Sequence, residues 1–158
     1  MDCCNEIYMH DVVRIDVVPS ERCRISMPFN VPGIVEIFDP DIGMPALSMG
    51  LEGDDFTVVI DNPVAVKDTV QRQPAGYIHN ISMNVVCQQG FADIREAQKE
   101  LQGVDFNVVL TTADECKYLC YSLPNTSSMV NDDQMGSDSS INVKISMSSL
   151  SGYIRIPY

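Results

Sequence analysis

The sequence has no tryptophan, only two histidines and few basic residues. Ten Lys and Arg stand against 22 Asp and Glu, which gives 158 residues a formal net charge of −12. A nucleic-acid-binding face needs clustered basic side chains to displace phosphate counterions, so this balance argues against specific DNA or RNA binding. It argues equally against binding to an anionic membrane surface. No run approaches the roughly 18 apolar residues of a membrane span, so we expect no membrane association.

The residues needed for common catalytic sites are also missing. There is no Gly-x-Ser-x-Gly motif and no Gly-rich loop that opens a helix, and His10 and His79 are the two imidazole bases. A pair of Cys87 with His79 fails on geometry, because eight residues along one strand separate them by about 26 Å. We therefore predict that the protein is not an enzyme, with no catalytic residues and no bound cofactor.

The acidic residues do not form a recognisable metal motif. Asp39–Asp41 is similar to the start of a calcium loop, but the Gly and the distal Glu of an EF-hand are absent. The adjacent acidic pairs at 54–55 and 132–133 would point to opposite faces of an extended strand. We predict no metal site.

The cysteines are expected to be reduced thiols. The first eleven residues are acidic and lack the apolar core of a secretory signal, so a disulfide framework is not expected. Cys116 and Cys120, four residues apart on one predicted strand, would lie about 13 Å apart and cannot bridge. The full set is Cys3, Cys4, Cys23, Cys87, Cys116 and Cys120.

Alternation of apolar and polar residues is the strongest pattern in the chain. Residues 141–147 place four apolar side chains on one face and three polar ones on the other. About nine such strands, separated by Pro, Gly, Asn and Asp, predict a single β-rich domain over 1–158 that forms an antiparallel β-sandwich or barrel. The inward side chains are expected to include Ile81, Met83, Val85, Val108, Leu110, Val143, Ile145 and Met147. The predicted strands are 13–17, 23–27, 34–38, 56–60, 81–87, 106–110, 117–123, 141–147 and 153–156.

One helix and two long irregular segments interrupt the strands. Residues 92–102 have a narrow apolar stripe and end at Gly103, which is typical of a short helix lying on a sheet. An acidic, Pro-rich excursion is predicted at about 25–66 and a polar loop at about 124–140, longer than ordinary connections. We expect both to pack on neighbouring copies, with the helix close to such a contact. The apolar side chains they would use are Met27, Phe29, Met44, Leu47, Met49, Met129, Val130 and Met135.

The layout of strands, one flanking helix, an acidic insertion and a long polar loop resembles small virion proteins of tailed bacteriophages. It is similar to tail-tube and tube-like head–tail connector subunits. That resemblance implies rings or tubes of identical subunits, joined to other virion proteins and assembled in the host cytoplasm, through which DNA passes without specific binding. A surplus of carboxylates is compatible with such a conduit because it repels phosphate. The alternative is a monomeric β-sandwich that binds a peptide or a glycan.

Overall fold

The computed structural model describes residues 4–24, 41–51, 58–74, 76–87, 91–134, 140–150 and 152–156. Within these ranges the chain forms twelve strands, one α-helix, α1 (Phe91–Glu100), and a short 3-10 helix at Ser20–Arg22. The strands are β1 (Cys4–Pro19), β2 (Cys23–Arg24), β3 (Asp41–Ile42), β4 (Leu47–Gly50), β5 (Val58–Val59), β6 (Val64–Gln73), β7 (Gly76–Cys87), β8 (Phe106–Thr112), β9 (Lys117–Cys120), β10 (Ser128–Gln134), β11 (Ser140–Ser149) and β12 (Tyr153–Ile156).

Ten of these strands form one open sheet. The order across it is β10-β11-β7-β6-β1-β8-β9-β12, with β4 beside β1 and β5 beside β4. Every pairing is antiparallel except that of β4 with β5, and β2 pairs with β3 in a separate two-stranded sheet. The prediction of a mainly antiparallel β fold with one short helix is confirmed.

The sixteen-residue β1 connects the two halves of the sheet. Its first part, from Cys4 to Val12, pairs with β6, and its second part, from Val12 to Pro19, pairs with β8. The register shifts between Met9 and Arg14, which is the signature of a bulge. A bulge bends a strand and increases its twist, so β1 can pair with β6 over its first part and with both β4 and β8 over its second part.

The main core lies on the inner face of the sheet, as the alternation of apolar residues predicts. The eight side chains expected to point inward are all buried, with at most 4% of their surface exposed. Val64 and Val66 of β6 and Leu47 and Met49 of β4 join the same cluster. Since side chains alternate across a strand, this one-sided burial fixes the register of β7 against β11.

The helix closes one side of this core. It runs from Phe91 to Glu100, close to the predicted 92–102, and buries Ile94, Ala97 and, just beyond its end, Leu101. Glu100 accepts a hydrogen bond of 2.5 Å from Arg22 Nη2, which joins the end of the helix to the 3-10 turn. Within the described part of the chain, no helix is long and apolar enough to cross a membrane.

A second, smaller cluster lies on the opposite face of β8, β9 and β12. Val109 of β8 is buried there although it alternates with the inward residues Val108 and Leu110. β8 is therefore packed on both faces, whereas the alternation of apolar residues predicts burial on one face of the sheet only. The cluster consists of Val18, Cys23, Val109, Leu119, Ile154 and Ile156.

The prediction of a polar loop at 124–140 is wrong over 128–134, which form strand β10. These residues pair along their length with β11, from Ser128 opposite Ser146 to Gln134 opposite Ser140. Pairing with β11 stabilises a polar sequence that has little strand propensity of its own. Residues 135–139 lie outside the described residues.

The excursion predicted at 25–66 also contains regular structure. Leu47–Gly50 form β4, whose four residues are all buried, and residues 64–66 begin β6. Prolines at 45 and 63 stand before these strands and do not interrupt them. The predicted strand at 34–38 lies outside the described residues, and that at 56–60 is described from Val58 onwards.

Two substitutions on neighbouring residues of β11 test the one-sided core. Ile145 is fully buried and Lys144 is exposed. Ile145→Asp should lower the free energy of unfolding by more than about 4 kcal/mol because it buries an unpaired charge. Lys144→Glu should change it by less than about 0.5 kcal/mol. Equal losses in urea unfolding would mean that both faces of β11 are packed.

Candidate assembly surface

Among the described residues, β10 is an end strand of the sheet whose outer side has no strand partner. β10 pairs with β11 on one side, and no other described residue makes a backbone hydrogen bond to it. Seven residues of an edge strand present a row of N–H and C=O groups that another strand can use. Val130, which is 56% exposed, adds an apolar side chain to this edge. We call Ser128–Gln134, taken along its unpaired side, the β10 edge.

A hydrogen-bonded turn holds the start of the β10 edge in place. Both carboxylate oxygens of Asp105 accept a hydrogen bond from the backbone N–H of Asn125, at 3.0 Å each. One of them also accepts from the Ser127 hydroxyl at 3.1 Å, and that hydroxyl accepts from the N–H of Phe106 at 3.2 Å. Asp105, which directly precedes β8, and the backbone of Phe106 thereby hold the segment that leads into β10.

A cleft lies beside the first residues of the β10 edge. It measures about 400 Å³ and lies between the end of α1, the start of β8 and the segment that enters β10. Leu101, Phe106 and Met129 supply its apolar lining, and Gln98, Asp105 and Asn125 its polar lining. Val104, on the rim, is 39% exposed.

The other end of the sheet is β12, which is also an edge. It pairs with β9 alone, and within the described ranges its second side makes no backbone hydrogen bond to another strand. Natural sheets usually shield such edges with charges, bulges or covering segments. The two ends of this sheet are therefore different strands, seven and four residues long.

The apolar side chains expected at contacts between copies fall into three groups. Leu47 and Met49 are buried in the protein's own core, so their expected role is wrong. Met129 is half-buried against that core, whereas Val130 is 56% and Met44 is 80% exposed. Met27, Phe29 and Met135 lie outside the described residues. Of the eight side chains, those described as exposed are therefore Val130 in the segment 124–140 and Met44 in the segment 25–66.

His79 has a partner that the sequence pattern does not reveal. Its Nδ1 lies 2.9 Å and 3.2 Å from the two carboxylate oxygens of Asp68, a residue of β6 that is 1% exposed. The hairpin of β6 and β7 places the two side chains diagonally across adjacent strands, since Val70 is opposite His79 and Asp68 is opposite Ile81. The ring of His79 thus gives the buried carboxylate of Asp68 a hydrogen-bond partner. Cys87 lies at the far end of β7, as the spacing predicts.

The turn between β11 and β12 closes over this pair. A Cβ on Gly152 would stand 2.8 Å from Asp68 Oδ2 and from His79 Nδ1, so only glycine fits there. Its φ of +69° is also in the left-handed region that favours glycine. The next residue, Tyr153, donates a hydrogen bond of 3.1 Å to the carbonyl of Val66 in β6. These contacts draw the β12 end of the sheet over its centre.

Burial and the nearby carboxylate affect two other groups in this region. Burial raises the pKa of the Cys120 thiol, and the charge of Asp68 raises it further. Burial also raises the pKa of Tyr153, and the electrostatic effects of Cys120 and Asp68 raise it further. Both groups are therefore protonated at neutral pH: Cys120 packs in the core, and the Tyr153 hydroxyl keeps its proton for the hydrogen bond to Val66.

The acidic residues considered as metal ligands are not brought together. In the part of the chain that the structure describes, no three His, Cys, Asp or Glu side chains are placed to hold a metal ion. Asp41 lies in β3 and Asp132–Asp133 lie in β10. Asp39, Asp54 and Asp55 lie outside the described residues. His10 is within β1.

No protein family model, curated protein or solved structure matches this chain.

Gly152→Ala tests the contact of the turn with the Asp68–His79 pair. Gly103 is the matched control, because it has a similar φ of +72° but open space around it. Gly103→Ala should cost about 1 kcal/mol of stability, the usual penalty of the left-handed conformation. Gly152→Ala should cost about 2 kcal/mol more, because the methyl group must displace the pair. Equal losses in thermal and urea unfolding would contradict the close approach.

Thiol reactivity tests the state of the cysteines. The four whose side chains are described, Cys23, Cys87, Cys116 and Cys120, form no disulfide. Burial and the charge of Asp61 raise the pKa of Cys87 to about 11. At pH 8 roughly one Cys87 thiol in a thousand is then ionised, so its native labelling should be slow, whereas the less buried Cys116 should react faster.

Labelling with a thiol reagent in denaturant, without reductant, should count six thiols. Cys116→Ser should remove one thiol from the fast class of the native protein, and Cys87→Ser one from the slow class. A total of four or fewer, or a fast native reaction of Cys87, would contradict this assignment.

Proposed function

We propose that the protein is a structural subunit that assembles with identical copies by continuing its sheet from one copy into the next. The observation that carries the proposal is the β10 edge, a seven-residue edge strand without Lys, Arg or Pro and with an exposed valine. Lys, Pro and bulges are the usual means by which edge strands avoid pairing. β10 has none of these and carries charges only at Asp132 and Asp133, so its first part, from Ser128 to Asn131, is left open to pairing.

Because the two ends of the sheet are different strands, copies can join end to end into a closed ring or an open chain. If the β10 edge of one copy pairs with β12 of the next, each copy contributes two different surfaces. Such a heterologous contact generates a ring when the rotation closes and a filament or tube when it does not. The cleft at the start of β10 would accept a side chain from the added strand, which gives the backbone pairing specificity.

Charge is the second support for the proposal. With a net charge of −12 per copy, an assembly of this chain repels DNA at short range. A ring or tube through which DNA passes without specific binding suits that property. Together with the layout, this favours a tail-tube or head–tail connector subunit of a bacteriophage virion, assembled in the host cytoplasm and joined to other virion proteins.

The competing function is a monomeric module that binds an extended peptide. The β10 edge and its cleft suit that role chemically, because a peptide strand pairs with an edge as a second copy does. Solution mass distinguishes the two: a subunit forms discrete multimers or polymers, whereas a module remains monomeric at high concentration.

Val130→Asp tests the β10 edge directly. It places a further charge on an edge that also carries Asp132 and Asp133, so pairing with another acidic copy should become unfavourable. Sedimentation velocity should show that the multimers of the unaltered protein are lost. Circular dichroism should remain unchanged, because Val130 is exposed in the single copy.

Val86→Asp is the control, since Val86 is an exposed valine on β7, an interior strand. It should leave the multimers intact. Assembly that survives Val130→Asp, or that is lost equally in both variants, would contradict a role for the β10 edge. An unaltered protein that is strictly monomeric at high concentration would replace the subunit proposal with the binding module.

A further inference from the structure

A second cleft lies on the outer face of the sheet, away from the β10 edge. It measures about 280 Å³ and opens over β1, β8, β9 and β12, beside the turn that follows β3. Polar and apolar surface line it in about equal parts, and its charged side chains are Arg14, Asp16 and Lys117. The apolar walls are formed by Val18, Ile42, Pro45, Val109 and Ile156.

The strand register brings the two cations into one row. Arg14 is opposite Thr111, and Thr111 is opposite Lys117, so the three side chains share one face of three adjacent strands. Two strand spacings separate the Cα atoms of Arg14 and Lys117 by about 9 to 10 Å. Both side chains are long enough to reach a group placed between them.

Arg14 is held in a fixed orientation. Its Nε donates to the carboxylate of Asp16 at 3.2 and 3.3 Å, and Asp16 accepts a hydrogen bond of 2.6 Å from the Ser48 hydroxyl. The terminal Nη atoms of Arg14 bind no other described residue, and neither does the ammonium group of Lys117. Donors with a fixed direction and without a protein acceptor are what an anion-binding site requires.

The residue between the cations has an unsatisfied polar atom. The Thr111 hydroxyl is buried and has no hydrogen-bond partner among the described residues. A buried hydroxyl without a partner is uncommon and costs free energy. Thr111 is not among the residues that line the cleft, so this buried hydroxyl lies beneath the row of cations and is not itself part of the site.

We infer that this cleft binds an organic carboxylate with a short apolar chain. Arg14, Lys117 and Asp16 together leave a single positive charge, which suits a monoanion better than a phosphate dianion. The apolar walls accommodate the chain, and about 280 Å³ is slightly below the roughly 300–1,000 Å³ of typical ligand pockets, which limits its size. A free short-chain fatty acid and the C-terminal residue of a peptide share this chemistry.

Titration followed by amide chemical shifts in NMR tests the site with defined probes. Sodium hexanoate should produce saturable shifts in β1, β8 and β9, whereas 1-hexanol, which lacks the charge, should not. Ala-Ala-Leu with a free C-terminus, compared with its C-terminal amide, is the peptide arm. Tighter binding of the free-acid peptide would identify a chain terminus as the source, and tighter binding of hexanoate a small molecule.

Substitutions in the cleft complete the test. Lys117→Gln should weaken binding of the better carboxylate about tenfold, the usual effect of losing one charge-assisted hydrogen bond. Arg14→Lys, which keeps the charge but removes the planar guanidinium, should also weaken it. Lys144→Gln, on an exposed position of β11, should have no effect. Absence of saturable shifts with both carboxylates, equal binding of hexanol, or unchanged affinity in Lys117→Gln would overturn the inference.

Discussion

The fold depends on one strand, β1, that satisfies the backbone hydrogen bonds of two half-sheets. β10, β11, β7 and β6 lie on one side of it, and β8, β9 and β12 on the other. Buried N–H and C=O groups must be paired, so neither half can complete its hydrogen bonding next to the centre without β1. The register shift between Met9 and Arg14 lets the same strand follow two directions, and the core forms on the concave side that results.

This arrangement curls the sheet but does not close it. Gly152 and Tyr153, at the start of β12, contact Asp68, His79 and Val66 in the other half, across the inner face. Such side-chain contacts satisfy single polar groups but leave the backbone of an edge strand unpaired. Among the described residues, β10 and β12 therefore remain as the two ends of the main strand order, and β5 is a further edge beside β4. In the proposed assembly, a second copy would supply the strand partners that closure of the sheet would have supplied.

The sequence predicts those parts of the fold that are determined by local pattern. Residues 141–147 alternate strictly because β11 has one buried face, and Ile94, Ala97 and Leu101 share a stripe because the helix has one buried side. The sequence pattern does not predict β10, because its two apolar residues, Met129 and Val130, are adjacent and do not alternate with polar ones. Its strand conformation comes from pairing with β11, which is a tertiary effect that local propensity does not report.

The candidate sites also divide into features that the local pattern predicts and features that depend on tertiary pairing. Val130 is expected at a contact between copies, and its exposure is compatible with that expectation. Leu47 and Met49 are instead buried in β4, a strand that the pattern does not predict because prolines surround it. Asp68 and His79 are eleven residues apart, and only the register of the β6–β7 hairpin brings them together. The row of Arg14, Thr111 and Lys117 likewise depends on pairings between three strands that are distant in sequence.

Amide hydrogen exchange measured as a function of protein concentration tests continuation of the sheet most directly. At concentrations where copies associate, the amides of residues 128–134 that point away from β11 should become strongly protected, and dilution should restore their fast exchange. The amides of β7, an interior strand, should be protected at every concentration and provide the internal reference. Exchange in 128–134 that stays fast in the concentrated protein would contradict the account, because a sheet continued through β10 leaves no open edge there.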